Sequence, residues 1–137
     1  MATCTRVTPV GTVLQPVKKQ SVIQLMGSRY WGRVNPLHWD PIYAIEKGLK
    51  APIQTGEMSS CYIQEMLVHF FGENFFRRSR MTRKFVKSIY AGETITTYGT
   101  VIEKTPEGDG FRFKVEVGAK NEDGEVKTVG TAECYVE

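Results

Sequence analysis

The chain has 137 residues, enough for one domain with one core and too few for two. Apolar residues make up 41% and charged residues 24%, which excludes a disordered chain and describes an ordinary globular one. A net charge of +3 is too weak to imply a nucleic-acid partner, although cations gathered in one place would favour an anionic ligand.

The first predicted element is a short extended segment over residues 10–17, punctuated by Pro9 and Pro16. Residues 21–31 carry Val22, Ile23, Leu25, Met26 and Tyr30 at spacings near three and four, which predicts a short amphipathic helix with Ser21 as N-cap. Asn35-Pro36 interrupts it, because the residue before a proline resists helix. A second short helix is expected over residues 41–47, capped by Asp40 and closed by Gly48. The long helix spans Gly56–Phe71. Thr55 is its expected N-cap, and Glu57 lies in the first turn, where a negative charge suits the dipole. Met58, Cys61, Tyr62, Ile63, Met66, Leu67, Phe70 and Phe71 cover more than one stripe of it, so it should be buried on most sides.

Four strands are expected after Gly72. Residues 74–90 read as one long β-biased run, turned by Ala91-Gly92, and residues 94–104 as the next. Residues 107–110 form a turn, and residues 111–119 alternate apolar and charged side chains. Residues 121–124 make a hairpin with an Asp123-Gly124 signal, and Val126–Val136 is the last strand. One long helix followed by antiparallel strands is an α+β plan in which the sheet's apolar face needs the helix as cover.

The strongest charge cluster is Arg77, Arg78, Arg80, Arg83, Lys84 and Lys87. If all lay on one strand, Arg78, Arg80 and Lys84 would share a face and Arg77, Arg83 and Lys87 the other. Either this is a solvated strand or it attracts phosphates of a ligand. Cys4, Cys61 and Cys134 are widely spaced with no C-x-x-C pair, which argues against a disulfide framework or a metal site. Cys61 and Cys134 are read as buried small residues, and His69 as core or helix-end structure. The first 16 residues lack a signal pattern, and no apolar run approaches the roughly 20 residues of a membrane span. The expected location is the cytoplasm.

Residues 31–44 read W-G-R-V-N-P-L-H-W-D-P-I-Y-A, and residues 48–56 read G-L-K-A-P-I-Q-T-G. The first resembles the hydratase motif of the MaoC-like (R)-specific enoyl-CoA hydratases and dehydratases, G-D-x-N-P-[LIV]-H followed six residues on by Ala or Ser. Gly32, Asn35, Pro36, Leu37, His38 and Ala44 match. The second resembles that family's G-L-x-x-P-I-x-x-G, which opens the central helix. Phe85 and residues 91–94 resemble its later strand and turn, with Glu93 where Asp is usual and Ser88 where Pro is usual. The resemblance covers about residues 10–137, in order. It implies a single hotdog domain over residues 1–137, a curved antiparallel sheet wrapped around one long helix.

The resemblance also implies a function: hydration or dehydration of an enoyl or hydroxyacyl thioester. The thioester is carried by coenzyme A or phosphopantetheine, with no other cofactor and no metal. His38 matches the catalytic His; an imidazole can take a proton from water near neutral pH. Its plainer reading is a structural His bound to the Asn35 loop. Gly56 is the expected oxyanion donor, at a helix N-terminus whose N–H groups are unpaired and where the absence of a side chain admits an acyl group. Glu57 is read as a dipole partner or a replacement acid–base group. Asn35 is read first as shaping its turn and second as a substrate contact. Trp31 and Trp39 either line an acyl pocket or simply pack. Arg78, Arg80 and Lys84 are candidate contacts to coenzyme A phosphates.

One departure is central: the family's catalytic Asp falls where this chain has Arg33. An arginine stays protonated and cannot be a general base. Three readings stand. Arg33 binds a carboxylate or phosphate of the ligand; or it pairs with Asp40 or Glu57; or this chain is the non-catalytic subunit of a heteromeric hydratase. A hotdog thioesterase, using Glu57 or Glu65, is a further alternative. The expected assembly is a homodimer or a heteromer with a second hotdog subunit, without nucleic acid or membrane.

Overall fold

The computed structural model describes residues 3–25 and 35–137. Trp31, Gly32, Arg33 and most of the helix expected over residues 21–31 lie outside the described residues. Within them, a 3-10 turn at Ile23–Leu25 stands where that helix was expected to begin.

The elements in chain order are strand β1 (Lys18–Gln20), helices α1 (Pro41–Glu46), α2 (Gly56–Phe71) and α3 (Asn74–Arg77), and strands β2 (Ser79–Phe85), β3 (Thr94–Glu107), β4 (Gly110–Lys120) and β5 (Val126–Val136). The strands form one antiparallel sheet in the order β1-β3-β4-β5-β2. The expected α+β plan is therefore present: four strands follow Gly72, as expected, and the short β1 joins them from ahead of the helices. The segment at residues 10–17 contributes only a bridge between Val13 and Thr100, and the first strand follows it.

Residues 74–90 are not one strand. Asn74–Arg77 coil into a helical turn, β2 occupies only Ser79–Phe85, and the chain then leaves the sheet. Ser79 Oγ donates to the Phe75 carbonyl and ties the turn to the strand start. The β-branched count of this stretch is low, since Thr82, Val86 and Ile89 alone are branched, so local propensity gave the strand little support.

Helix α2 lies across the concave face of the sheet. Its Ile63, Met66, Leu67, Phe70 and Phe71 pack with Val101, Phe113, Val115, Val117, Ala132, Cys134 and Val136 from β3, β4 and β5. Each of the larger aliphatic and aromatic side chains among them contributes roughly 1.5–3 kcal/mol by leaving water. Phe71 stacks edge-on against Phe70, ring centres 4.8 Å apart, and tilts against Phe113. The helix is buried along most of its circumference, as its apolar residues require, and only Gln64 and His69 are exposed. It stops at Gly72, whose φ of 61° is one that other residues rarely adopt. Cys61 is only half-buried, against expectation, because it lines an open groove between α2 and β1. Cys4 and Cys134 are buried, and burial pushes their thiols up to about 11 and about 12 respectively, which keeps them protonated and inert. Among the described residues no helix is long and apolar enough to cross a membrane.

Candidate active site

Asn35, Pro36 and Leu37 set the position of His38. Asn35 Oδ1 accepts from the Leu37 N–H at 3.1 Å and caps a 3-10 turn over Pro36–His38, with proline where its missing N–H costs nothing. Asn35 itself is exposed. Asp40 caps α1 in the same way, its Oδ1 accepting from Ile42 and Tyr43. The motif thus folds as two successive proline-started turns.

This loop docks on the segment that precedes α2. The Ile53 N–H donates to the Leu37 carbonyl, and His38 Nδ1 lies 2.8 Å from the Ile53 carbonyl oxygen. A carbonyl oxygen only accepts, so Nδ1 carries the proton of that bond and Nε2 is the nitrogen left for chemistry. Residues 52–54 are held from the other side: the Gln54 N–H donates to Ile89, the Ala91 N–H donates to Pro52, and Ile53 bridges Tyr90.

His38 opens onto a cavity of about 360 Å³ that Thr55, Gly56, Ser59, Phe85, Lys87 and Thr128 also line. The start of α2 is unusual there. Thr55 occupies the N-cap position with φ −66° and ψ 147°, yet its side chain makes no capping bond. The Met58 N–H turns instead to the Thr55 carbonyl. Thr55 Oγ1 and Gln54 Oε1 are buried without a hydrogen-bond partner, although Gln54 Nε2 donates to the Tyr62 hydroxyl. Leaving a buried polar atom unpaired costs about 1–3 kcal/mol, which a ligand or solvent group in the cavity would relieve.

Gly56 is needed for a contact as well as for its N–H. A methyl group at its Cα would stand 2.6 Å from the Phe85 ring. Phe85 therefore roofs the helix start, one face against Gly56 and 49% of its surface open. Deeper in the cavity Ser59 and Thr128 hydroxyls meet at 2.9 Å.

A second polar cluster braces the wall formed by residues 86–88. Lys127 Nζ, 3% exposed, reaches the Ser88 carbonyl at 2.9 Å, Glu93 at 3.1 Å and Glu125 at 2.8 Å. The Lys127 carbonyl accepts from Val86 and Lys87, and Glu125 also pairs with Lys87. Burial alone would raise the Glu93 carboxyl; hydrogen bonds from Asn121, the Tyr90 N–H and Lys127 outweigh it and hold it below the ordinary range. Burial alone would lower Lys127, and Glu125 and Glu93 more than reverse that. Glu125 is driven to about 2 by its bonds to Lys127 and Lys87.

The expected cationic contacts fare differently. Arg78 is not on β2: it follows α3 and lies over the Tyr135 ring at 4.6 Å. Arg77 pairs with Glu73. Arg80 and Lys84 alternate with Met81, which packs on the core, and so face the convex side of the sheet. Neither lines the cavity; Lys87 does. Trp39 is exposed at the surface and is also not part of the wall. Thr55, Ser59 and Thr128 are polar cavity residues that the sequence did not single out for chemistry, whereas Lys87 belonged to the cationic run.

The MaoC like domain model matches residues 15–126. The chain belongs to the MaoC-like family. No curated protein sequence matches it. Its fold is that of R-hydratase PhaJ1 from Pseudomonas aeruginosa, with a TM-score of 0.81, 21% identity, and 94% of this chain and 82% of that one covered. The ChsH1-ChsH2 complex from Mycobacterium tuberculosis is similar at a TM-score of 0.81, 19% identity and coverages of 96% and 100%. The HadBC (3R-hydroxyacyl-ACP dehydratase) complex from the same organism is similar at 0.74, 14%, 95% and 98%. A MaoC-like hotdog thus occurs both as a hydratase and within complexes of two different chains.

Proposed function

We propose that the cavity takes an enoyl or hydroxyacyl thioester and that this chain supplies half or all of a hydratase/dehydratase site. The observation that supports the reading is the orientation of His38. Its Nδ1 is committed to the Ile53 carbonyl, so Nε2 is the nitrogen offered to the cavity that also holds the start of α2. In the hydration direction, Nε2 takes a proton from water as its oxygen bonds to C3 of the enoyl group. The electron pair moves onto the thioester oxygen, which the Gly56 N–H and the helix dipole stabilise, and as the carbonyl re-forms the His38 imidazolium gives its proton to C2. Coenzyme A or phosphopantetheine carries the acyl group, and the reaction belongs to the cytoplasm. Lys87 is better placed at the cavity than Arg78, Arg80 or Lys84 to meet a carrier phosphate.

A second reading follows from Arg33, which stands at the family's acid position and cannot act as a base. In it, the chain completes the acyl site of a different hotdog subunit that carries the Asp/His pair. Hydration of crotonyl-CoA and longer enoyl-CoAs by the purified chain tests both. Stereospecific hydration lost in His38→Ala supports the enzyme; activity only after a second hotdog subunit is added supports the partner role. Thiol release from saturated acyl-CoA would overturn both in favour of a thioesterase.

A further inference from the structure

The cavity is lined by hydroxyl groups to which hydration itself gives no task. Thr55, Ser59 and Thr128 all line it and are 3%, 1% and 1% exposed. Folding withdraws each of them from water, so each hydroxyl needs a partner in its place. Thr55 has none: its Oγ1 is buried without a hydrogen bond. Nor does it serve the helix, because the capping bond of an N-cap threonine is absent and the Met58 N–H goes to the Thr55 carbonyl instead. Ser60 shows the ordinary solution, its hydroxyl donating to the Gly56 carbonyl one turn back.

Ser59 and Thr128 satisfy one another only in part. Their oxygens are 2.9 Å apart, and neither has another bond among the described residues. A hydroxyl carries one hydrogen, so the pair holds two and the bond between them uses one. The cavity therefore presents two uncommitted O–H donors. One is Thr55 at the helix start, and the other is the Ser59–Thr128 pair about 6 Å farther along the helix axis.

An all-carbon acyl chain would seal both donors from water and give neither an acceptor, which costs affinity. A carboxylate would need a free cation, and Lys87, the lysine that lines the cavity, already pairs with Glu125 at 2.9 Å. A neutral oxygen accepts from either donor and brings no charge to bury.

We propose that the cavity selects an acyl thioester whose acyl chain carries a neutral oxygen of its own, a keto or hydroxyl group beyond C3, and that Thr55, Ser59 and Thr128 read that oxygen. This rests on the proposed use of the cavity for an acyl thioester and names the class of acyl group.

The test is binding, not turnover, and uses saturated thioesters that a hydratase leaves unchanged. Isothermal titration of the purified chain compares pentanoyl-CoA with 4-oxopentanoyl-CoA, and hexanoyl-CoA with its 5-oxo and 5-hydroxy counterparts. At least one oxygenated ester should bind roughly tenfold more tightly than its alkyl parent, about the effect of one net hydrogen bond. Thr55→Val should bring that ratio close to parity, and Thr55→Ser should keep it. Ser59→Ala with Thr128→Val removes both members of the pair, leaves no lone hydroxyl behind and should also reduce the ratio. Circular dichroism establishes that each variant folds; if the double variant does not, Thr55→Val decides. Alkyl and oxygenated esters that bind alike overturn the selection and leave the thioester reading standing, whereas failure of every ester to bind overturns both. A preference that persists in Thr55→Val places the oxygen elsewhere and refutes the assignment. So does glutaryl-CoA binding more tightly than the keto and hydroxy esters, which would make Lys87 the selecting group.

Discussion

His38 is fixed by one bond to a backbone oxygen, so its replacement tests chemistry with little disturbance of the fold. His38→Ala should lower hydration at least 100-fold while moving the thermal midpoint only slightly, whereas His38→Gln, which can still donate to Ile53, should keep stability and lose the proton transfer. Thr55 poses a different question. Its hydroxyl is buried, lines the cavity and does not cap the helix. Thr55→Val should therefore leave stability unchanged or raise it, as no bond is lost, and should raise KM for an enoyl-CoA if the hydroxyl meets the acyl group. Thr55→Ser should restore the wild-type KM. At Gly56, an alanine forces the Phe85 ring aside, with a cost of about 1–3 kcal/mol in urea unfolding. Phe85→Leu in the same chain should recover much of it.

Among the elements, the Lys127 cluster ties the loop after β2 to the hairpin between β4 and β5. Lys127→Met would leave Glu93 poorly compensated and release the Ser88 carbonyl, destabilising the fold by about 3 kcal/mol in urea unfolding. Its pH dependence has a definite sign. Glu93 titrates below its ordinary 4.5, so its contribution is present above that value and is lost as pH falls through the lower folded value. Lys127 titrates above its ordinary 10.5, so its contribution is present below that value and is lost as pH rises beyond it. The wild type should lose stability at both ends of this window, and Lys127→Met should flatten both limbs in thermal melts across pH. The elements also differ in how plainly their residues announced them. Gly56–Phe71 and Val126–Val136 are bounded as their patterns indicate, because glycine punctuation and long apolar periodicity leave few alternatives. Residues 74–90 misled because six cations give no face a preference, and only contact with β5 decides where the strand starts. Gly56 and His38 line one cavity, while Lys87 and Thr128 are brought there by tertiary contacts that no local pattern encodes.

For the whole molecule, the exposed β2 edge and the cavity are neighbours. If the chain works within a heteromer, its hydration rate alone should lie near the uncatalysed rate, and Arg33→Asp should raise it measurably in a crotonyl-CoA assay. Phe85 belongs to both regions: it is the last residue of β2, opposite Thr128 of β5, and its ring covers Gly56. In a strand, a slip of one residue exchanges the two faces. Were β2 to slide by one position against β5, Phe85 would turn to the convex side and Lys84 would take its place over the start of α2. A cation would then stand at the positive end of a helix dipole, and the apolar roof would be gone. The alignment of two strands thus acts as a vernier for the site: one notch separates an apolar roof over the start of α2 from a cationic one.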